Sequence, residues 1–416
     1  MKWICCQLGA RENFAIPRAL FRKGLLEILL TDAWVAPQSL VGKLCRRRSK
    51  LTQRFHNELR GARVESFTSS LMLCETVSRA RGLGGWEKIM ARDRWFQQKV
   101  VGALKSQVRL QTSESPILLS YSYTALDPFR YAKAQGWKTV LVQIDPGPEE
   151  ERIVAREAAR MPDLAGRWQP APAEYWAAWR EECKLADRIV VNSEWSRDGL
   201  VRGGIPSDSI SVVPLAYEGE IGSGRLAEPE SRRNYPARFT SDRPLRVLFL
   251  GLINLRKGSG RLLEAARILA DEAVEFWMVG PVEIAKAMTS ATADRVKWFG
   301  PVTRNQTAEF YRNADVFILP TLSDGFAITQ LEAQRHGLPV IASKFCGKVI
   351  ENDVNGIILD EPTAAWIVQA LRNFLANPDR LQKLAEASVR NTTFTLSSLG
   401  KRLEELSRNI FTVHTQ

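Results

Sequence analysis

Short apolar strands alternate with helix-like segments along this chain, and the alternation occurs twice, which restricts the fold to an α/β architecture. In the N-terminal half the pattern predicts strands at residues 3–8, 25–30, 117–123, 139–144, 188–192 and 210–214, and helices at 15–23, 127–135, 173–186 and 194–201. Residues 3–8 form a nearly continuous apolar run, which is typical of a parallel strand buried on both faces. Strands that alternate with helices favour mostly parallel sheets with right-handed crossovers.

A polar break separates this half from a second alternation. There the pattern predicts strands at 245–250, 275–279, 296–299, 316–319, 340–342 and 356–359, and helices at 259–271, 307–313, 327–336 and 364–376. The break itself is rich in Gly, Ser, Pro, Glu and Arg and has little apolar periodicity, as expected of a linker. A chain of 416 residues is also too long for one ordinary core.

We therefore predict two Rossmann-like domains with mostly parallel sheets, at residues 1–216 and 244–394, joined by a linker at 217–243. A C-terminal helix at about 395–416 is the candidate to pack back on the first domain. Ligands of open parallel sheets bind beyond the C-terminal ends of the strands, so both domains are expected to face a central cleft.

Composition excludes several classes of protein. Hydrophobic residues make up 45% and charged residues 25% of the chain, a normal globular balance. The longest apolar runs are far shorter than the roughly 20 residues of a membrane span, and the N-terminus reads as a first strand rather than a signal peptide. Six scattered cysteines and three histidines lack zinc-ligand spacing, so we expect no structural metal and a location in the reducing cytoplasm.

The positive charge is concentrated near the N-terminus. The net charge is +12, which favours anionic partners. Eight cations against one acid, Glu58, lie between Lys43 and Arg63: Lys43, Arg46, Arg47, Arg48, Lys50, Arg54, Arg60 and Arg63. Apolar residues recur there at near-helical spacing, and two interpretations are open. The stretch forms either a basic amphipathic helix on the inner, anionic face of a membrane, or a solvated helix whose apolar stripe packs on its own domain.

The segment at residues 324–343 carries the most chemical information. Asp324 and Glu332 are separated by seven residues that span a turn and the start of a helix after the strand at 316–319. Gly325 allows close approach of the backbone to a ligand, and free amides at a helix start favour a diphosphate. Carboxylates bind hydroxyls strongly where water is excluded, so Asp324 suits a sugar hydroxyl and Glu332 a ribose diol. The pattern therefore predicts a nucleotide-sugar site, and Phe326, Ala327 and Ile328 complete it.

This segment resembles the acid-x7-Glu motif of the retaining GT-B glycosyltransferases of the family-four type, also described as glycosyl transferases group 1. Further matches lie at 251–258, similar to the family's diphosphate loop, at 296–302, similar to its nucleobase loop, and at 354–356. In the N-terminal half, 186–196 and 211–215 follow in the family's order. The resemblance implies a GT-B fold and transfer of a sugar, with retention, from a nucleotide-sugar to a hydroxyl of a glycan or lipid-linked glycan, as in polysaccharide biosynthesis.

The resemblance also implies roles for residues outside the motif. Gly251, Asn254 and Arg256 would hold the donor diphosphate, Val302 would lie beside the base, and Lys257 would compensate charge on the leaving group. A solvated Lys257 is the simpler alternative. The chain has no Asp-x-Asp triplet for a metal-bridged diphosphate. We therefore expect metal-independent transfer with no cofactor, the nucleotide-sugar and a carbohydrate acceptor being the partners, and no nucleic acid.

The chain departs from the family pattern at three places. Asp324 stands where the family has Glu, Leu252 stands where it has Arg, and no His follows the strand at 139–144. Asp145 lies at or beside the place of that His, and we assign it as the replacement catalytic group. These departures keep open an alternative function, that of a catalytically degenerate GT-B nucleotide-binding or scaffold protein.

Two weaker features lie in the N-terminal half. Gly9 and Arg11 follow the first strand and should face the cleft, where they form either an ordinary turn or a loop that meets the donor phosphates or the acceptor. Tyr175, Trp176 and Trp179 cluster at helical spacing, which indicates either core packing or stacking on an acceptor.

Overall fold

A computed structural model describes residues 2–39, 42, 51, 54–106, 115–166, 168–218, 233–285, 296–388 and 393–412. Within these residues the strands form two sheets, and all of their pairings are parallel. The N-terminal sheet has the order β3-β2-β1-β4-β5-β6-β7, and the C-terminal sheet has the order β10-β9-β8-β11-β12-β13. In each sheet the order reverses beside the first strand, as in Rossmann folds, so the predicted α/β class is confirmed.

The strands are β1 Trp3–Gln7, β2 Leu26–Thr31, β3 Val64–Ser66, β4 Ile117–Tyr121, β5 Lys138–Gln143, β6 Arg188–Val191, β7 Ile210–Val212, β8 Leu245–Leu250, β9 Val274–Val279, β10 Val296–Gly300, β11 Val316–Leu319, β12 Val340–Ser343 and β13 Gly356–Leu359. The α-helices are α1 Ala15–Arg22, α2 Thr68–Ala80, α3 Gly85–Ser106, α4 Leu126–Ala134, α5 Pro148–Arg160, α6 Pro162–Ala165, α7 Ala173–Leu185, α8 Glu194–Arg202, α9 Ser259–Ile268, α10 Arg304–Asn313, α11 Thr329–Arg335, α12 Ala364–Ala376, α13 Pro378–Ser388 and α14 Leu396–Thr412. Short 3₁₀ segments lie at Arg11–Phe14, Asn57–Leu59 and Ser207–Ser209.

The N-terminal sheet is covered on both faces, which explains the unbroken apolar run of its first strand. Trp3 and Cys5 pack into one core cluster, and Ile4 and Cys6 pack into the cluster on the opposite face. Apolar residues of α14 join the first cluster, and the Trp3 indole N–H donates to the Ser407 hydroxyl at 2.9 Å. The C-terminal helix therefore lies against the N-terminal sheet, beside α1.

The C-terminal core also receives side chains from the first half of the chain. Val154 of α5 and Leu164 of α6 belong to the same buried cluster as the strands β8 to β13. Ion pairs follow this contact, since Arg261 lies 2.8 Å from Glu157 and Arg160 lies 3.1 Å from Glu264. The helices after β5 therefore connect the two sheets.

The described end of the predicted linker packs on the C-terminal sheet; residues 219–232 lie outside the described ranges. Arg233 donates to the carbonyls of Ala314 and His336, and Arg243 pairs with the buried Asp315 at 2.6 Å. The boundaries 1–216, 217–243 and 244–394 stay predictions.

The predicted helix in the basic stretch is wrong for its described part. Lys43, Arg46, Arg47, Arg48 and Lys50 lie outside the described residues, and residues 54–63 form loops around a 3₁₀ turn at Asn57–Leu59. Arg54, Glu58, Arg60 and Arg63 contact different neighbours, respectively Asp32, Arg18, Gln38 and Glu27. Separate tertiary contacts of this kind override the helical spacing. No helix in the described part of the chain is long and apolar enough to cross a membrane.

Candidate active site

Asp324 lies in the turn after β11 and is held by two cations. Its side chain forms ion pairs with Lys257 and with Arg256, whose Nη1 is 3.3 Å from Oδ2. The backbone N–H of Phe326 donates to Oδ1 at 3.1 Å. Burial alone would raise the pKa of this carboxyl, but Lys257 and Arg256 outweigh it and lower the pKa to about 2. Asp324 is therefore a carboxylate at neutral pH.

Arg256 joins the two halves of the site. Besides Asp324, it lies 3.5 Å from Glu150 at the start of α5 and donates to the Ser323 carbonyl at 3.2 Å. Burial would lower the pKa of Arg256, but the carboxylates of Glu150, Asp324 and Asp145 raise it. Burial raises the pKa of Glu150 to about 7; Arg256 opposes this shift, while Asp145 and Asp324 add to it.

The loop between β8 and α9 is shaped by glycines. Gly258 has a φ of 75°, and a Cβ there would collide with the Pro320 carbonyl. A Cβ on Gly280 would likewise collide with the carbonyl of Gly251. The N–H of Gly251 donates to the carbonyl of Val279 in β9. Asn254 accepts from the Lys257 N–H at 3.1 Å, so this side chain closes the turn that carries Lys257.

The 324–332 segment meets the N-terminal sheet directly. A Cβ on Gly325 would collide with the carbonyl of Ile144, so only glycine permits this contact. The predicted helix start at residue 327 is wrong, because Ala327 has a φ of 64°, which no right-handed helix accepts; α11 begins at Thr329. The Phe326 side chain packs in a small core cluster with Leu215, and Ile328 lies beside that cluster.

Glu332 lies in the first turn of α11 and is partly buried. The Tyr311 hydroxyl donates to its carboxylate at 2.9 Å, and the Tyr311 ring stacks on His336 at 5.4 Å. Burial, followed by the charge of Glu332, raises the pKa of Tyr311. Val302, in the loop after β10, packs at the edge of the C-terminal core.

Asp145 occupies the end of β5 on the N-terminal side. Its Oδ1 accepts three hydrogen bonds, from the Tyr123 hydroxyl at 2.7 Å, from Gln143 Nε2 at 2.8 Å and from the Gly147 N–H at 2.8 Å. Tyr123 has a φ of 75°, a strained backbone for a bulky residue, and its ring stacks on Tyr175 at 4.8 Å. Strain of this kind clusters at sites where the position of a side chain matters.

A cavity of about 880 Å³ lies between the two sides. Asp145, Tyr175 and Glu150 line it from the N-terminal half, and Asn254 and Arg256 line it from the C-terminal half. Asp324 lies behind this lining and pairs with Arg256 and Lys257, whereas Glu332 is hydrogen-bonded to Tyr311.

The aromatic cluster on α7 divides between the two predicted roles. Trp179 is buried in the N-terminal core, and its indole N–H donates to Gln143 at 2.8 Å. Tyr175 and Trp176 line the cavity. Trp179 thus supports the strand end that carries Asp145, while its two neighbours face the space where a ligand would lie.

Gly9 and Arg11 lie at the end of β1. Gly9 has a φ of 88° and donates its N–H to Asp32 at 2.9 Å. The Arg11 guanidinium lies 5.7 Å from the centre of the Tyr121 ring, at the same edge of the sheet as Asp145.

The sequence pattern missed Glu150 and Tyr123. Three consecutive acids, Glu149, Glu150 and Glu151, follow Gly147 and Pro148, a helix-start signal in which acids commonly stabilise the helix dipole. Nothing in that signal singles out Glu150. Within the described residues, no three His, Cys, Asp or Glu side chains converge as metal ligands.

The C-terminal half of the site matches a known family. Residues 244–377 match the family described as Glycosyl transferases group 1. That match spans most of the predicted C-terminal domain. D-inositol 3-phosphate glycosyltransferase of Xylanimonas cellulosilytica is 31% identical over 218 residues, covering 48% of this chain and 51% of the relative. The amylovoran biosynthesis glycosyltransferase AmsK of Erwinia amylovora is 28% identical over 187 residues, covering 41% and 43%. The chain thus spans about half the length of the curated relatives it matches.

Solved structures resemble the whole chain. Sucrose-phosphate synthase from Thermosynechococcus elongatus has a TM-score of 0.65 at 16% identity and covers 99% of both chains. Anabaena HepE in complex with UDP-glucose has a TM-score of 0.60 at 12% identity and covers 98% of this chain and 100% of HepE. These likenesses show the fold. Together with the family match of residues 244–377, they confirm the predicted GT-B architecture and the resemblance to the family-four type.

Proposed function

We propose that this chain transfers a sugar from a nucleotide-sugar to an acceptor hydroxyl, with retention of configuration and without a metal ion. The family match of residues 244–377 supports a donor site in the C-terminal domain. The single observation that carries the proposal is the position of Asp324. Its turn lies against the end of β5, and Arg256 lies near enough to Asp324 and to Asp145 to interact with both charges.

Each group has a physical role in this proposal. Asp324 positions the donor sugar and Glu332 accepts from the ribose diol, while Gly325 and the 326–328 backbone lie along the diphosphate. Lys257, with Arg256, offsets the charge of the leaving diphosphate in place of a metal. At ~4 Å and an effective dielectric of ~20, one cation and one phosphate charge attract by about 4 kcal/mol.

The names of the relatives indicate which substrates to test first. HepE is described in complex with UDP-glucose, so UDP-sugars are the first donors to test. AmsK is named for amylovoran biosynthesis, which favours a glycan acceptor. A cytoplasmic location is part of the proposal, and the absence of disulfides among the described cysteines supports it.

A thermal-shift screen against UDP-, GDP- and ADP-sugars, without added metal, tests the donor site. A ligand at 100 times its Kd should stabilise the fold by about 2.7 kcal/mol. We expect one donor to raise the unfolding midpoint, and Glu332→Ala to abolish the shift. Glu361→Ala, an exposed acid outside the site, is the matched control and should keep it. A folded protein that responds to no nucleotide-sugar would contradict the proposal.

Transfer itself needs a second measurement. With the identified donor, product should form in the presence of EDTA, and NMR should show the anomeric configuration of the donor retained. Binding without transfer to any glycan or lipid-linked acceptor would instead favour the degenerate scaffold, to which Leu252 and the missing histidine point. A requirement for a divalent cation would contradict the metal-independent assignment.

A further inference from the structure

Three arginines lie near the C-terminal ends of β1 and β2, apart from the donor-side cations Arg256 and Lys257. Arg54 Nη1 lies 3.1 Å from Asp32 Oδ1, and Arg92 Nη2 lies 2.9 Å from Asp32 Oδ2. Asp32 is fully buried and also accepts from the Gly9 N–H. The side chains of Arg54 and Arg92 are 19% and 32% exposed, so a ligand can reach both.

The third arginine, Arg11, is close enough to act on the first. A Cβ placed on Gly9 would lie 2.9 Å from Arg54 Nη1, which puts the Arg54 guanidinium on the turn that leads to Arg11. Burial lowers the pKa of Arg54, Asp32 opposes that shift, and the charges of Arg92 and Arg11 add to it. The three guanidinium groups therefore repel one another across a short space.

The described residues do not balance this charge. The Arg11 guanidinium has no hydrogen bond or ion pair among them, and the Nε atoms of Arg11 and Arg92 are buried without a partner. Glu12 and Asp93 are nearby acids, but burial raises the pKa of both carboxyls, that of Asp93 to about 7, against the opposing charge of Arg11. The chain between Asp32 and Glu58 contains no acid at all. A buried donor without a partner is unfavourable, so an arrangement of this kind favours a ligand that completes it.

The backbone that carries Arg11 is itself strained. Glu12, Asn13 and Phe14 have φ values of 46°, 54° and 58°, three consecutive left-handed residues without a glycine. Each such residue costs on the order of 1 kcal/mol and persists where the surroundings enforce it, commonly at ligand sites. The turn ends in α1, and the Glu12 carboxylate that accepts from Tyr121 helps to hold it.

We infer that Arg11, Arg54 and Arg92 bind a phosphate monoester carried by the acceptor. Burial disfavours the charged forms of Glu12 and Asp93, so Asp32 is the main counter-charge of the three arginines and up to two positive charges remain. A phosphate monoester carries about −1.5 to −2 at neutral pH. Planar guanidinium groups match phosphate oxygens in pairs, with higher specificity than ammonium groups.

The position of the three arginines favours the acceptor over the donor. Arg11 and Asp93 are both near enough to act on the pKa of Tyr175, which lines the cavity beside Asp145. The cations facing the C-terminal domain, Arg256 and Lys257, are those assigned to the donor diphosphate. The assignment of the phosphate to the acceptor rests on the proposed function, whereas the anion site itself does not.

Titration with inorganic phosphate tests the site, using calorimetry at constant ionic strength with chloride as the replacement anion. Arg11→Gln is the primary variant, because Arg11 has no ion pair to lose and Asp32 keeps both of its partners. We expect its Kd for phosphate to rise about 10-fold or more, the loss of one charge-assisted contact. Arg94→Gln, an exposed arginine on the same helix as Arg92, should leave the Kd unchanged. Arg92→Lys keeps the positive charge but removes the paired N–H donors of the guanidinium, and should weaken phosphate binding less than Arg11→Gln.

Three results would overturn the inference. The first is equal phosphate affinity in the wild type and Arg11→Gln, or no phosphate binding by the wild type. The second is phosphate binding that disappears when a saturating nucleotide occupies the donor site. The third is acetate binding as tightly as phosphate. Failure of the proposed function is separate, because loss of all nucleotide binding leaves the phosphate titration readable.

Discussion

The two sides of the cleft hold their positive charge differently. Arg256 and Lys257, on the C-terminal side, lie against the carboxylates of Asp324 and Glu150. On the N-terminal side, Arg54 and Arg92 share the fully buried side chain of Asp32, and Arg11 has no ion pair within the described residues.

This difference in charge pairing indicates a different role for each side of the cleft. Paired charges fix the geometry of one another, so the C-terminal side is preorganised before a ligand arrives, as electrostatic catalysis requires. An excess of one charge attracts an anion and is relieved when the anion binds. We therefore expect substitutions on the C-terminal side to affect turnover and stability, and those on the N-terminal side to affect affinity for an anionic ligand.

The largest effect is expected at Lys257. Lys257→Ala should lower kcat by about 10²–10³-fold, the usual cost of removing one electrostatic contact to a developing charge. Steady-state kinetics with the identified donor measures it, with the exposed Lys344→Ala as control. A near-normal kcat would mean that Lys257 is a solvated lysine and that the paired cluster is structural.

The next largest effect is expected on the free energy of unfolding, which should fall more for a substitution of Arg256 than for one of Arg92. Arg256→Gln removes the cation shared by Glu150 and Asp324, and breaking such a part-buried network should cost about 3 kcal/mol. Arg92→Gln leaves Asp32 paired with Arg54 and should cost about 1 kcal/mol or less. Thermal unfolding compares the two variants directly. Equal losses would remove the proposed distinction between balanced and unbalanced sides.

Substitution of Asp145 tests whether the N-terminal side of the cleft takes part in the reaction. Asp145→Asn keeps the size of the side chain but removes its charge, and kcat should fall by about 10²-fold if the carboxylate polarises or positions a reacting group. The exposed Asp163→Asn serves as control. An unchanged kcat would take Asp145 out of the reaction and leave it as a support for Tyr123.

The smallest expected effect concerns pH. Burial raises the pKa of Glu150 to about 7 from an ordinary value of 4.5, so the folded state binds this proton more tightly than the unfolded state. Its contribution to stability is therefore present below pH 4.5 and is lost as the pH rises through about 7. Asp324, with a pKa of about 2, is ionised throughout that window.

Glu150→Gln should accordingly remove part of the fall in the unfolding midpoint between about pH 5 and pH 8. The exposed Glu194→Gln should leave that profile as it is in the wild type. A profile that is the same in the wild type and Glu150→Gln would mean that this carboxyl is not shielded from solvent, and that Arg256 has only Asp324 as an effective partner.

Local signals in the chain were sufficient for most of the fold. Among the described residues, the apolar runs predicted every strand except Val64–Ser66, an edge strand of three residues that is too short for a pattern. Two helices were placed wrongly for one physical reason. The spacing at the described residues 54–63 and the start at residue 327 both fit a helix locally, but tertiary contacts and the left-handed Ala327 override local preference.

The sequence by itself determined the two Rossmann-like halves and the residues of the donor segment, because hydrophobic period and glycine placement are local properties. It also placed Asp145 at a strand end. Only the tertiary structure decided that Glu150, rather than Glu149 or Glu151, meets Arg256, since helix phase selects one of three adjacent acids. Arg11, Arg54 and Arg92 likewise come near one another only because the segments after β1 and β2 and the first half of α3 lie at the same edge of the sheet. Their positions along the sequence do not predict that they lie close together.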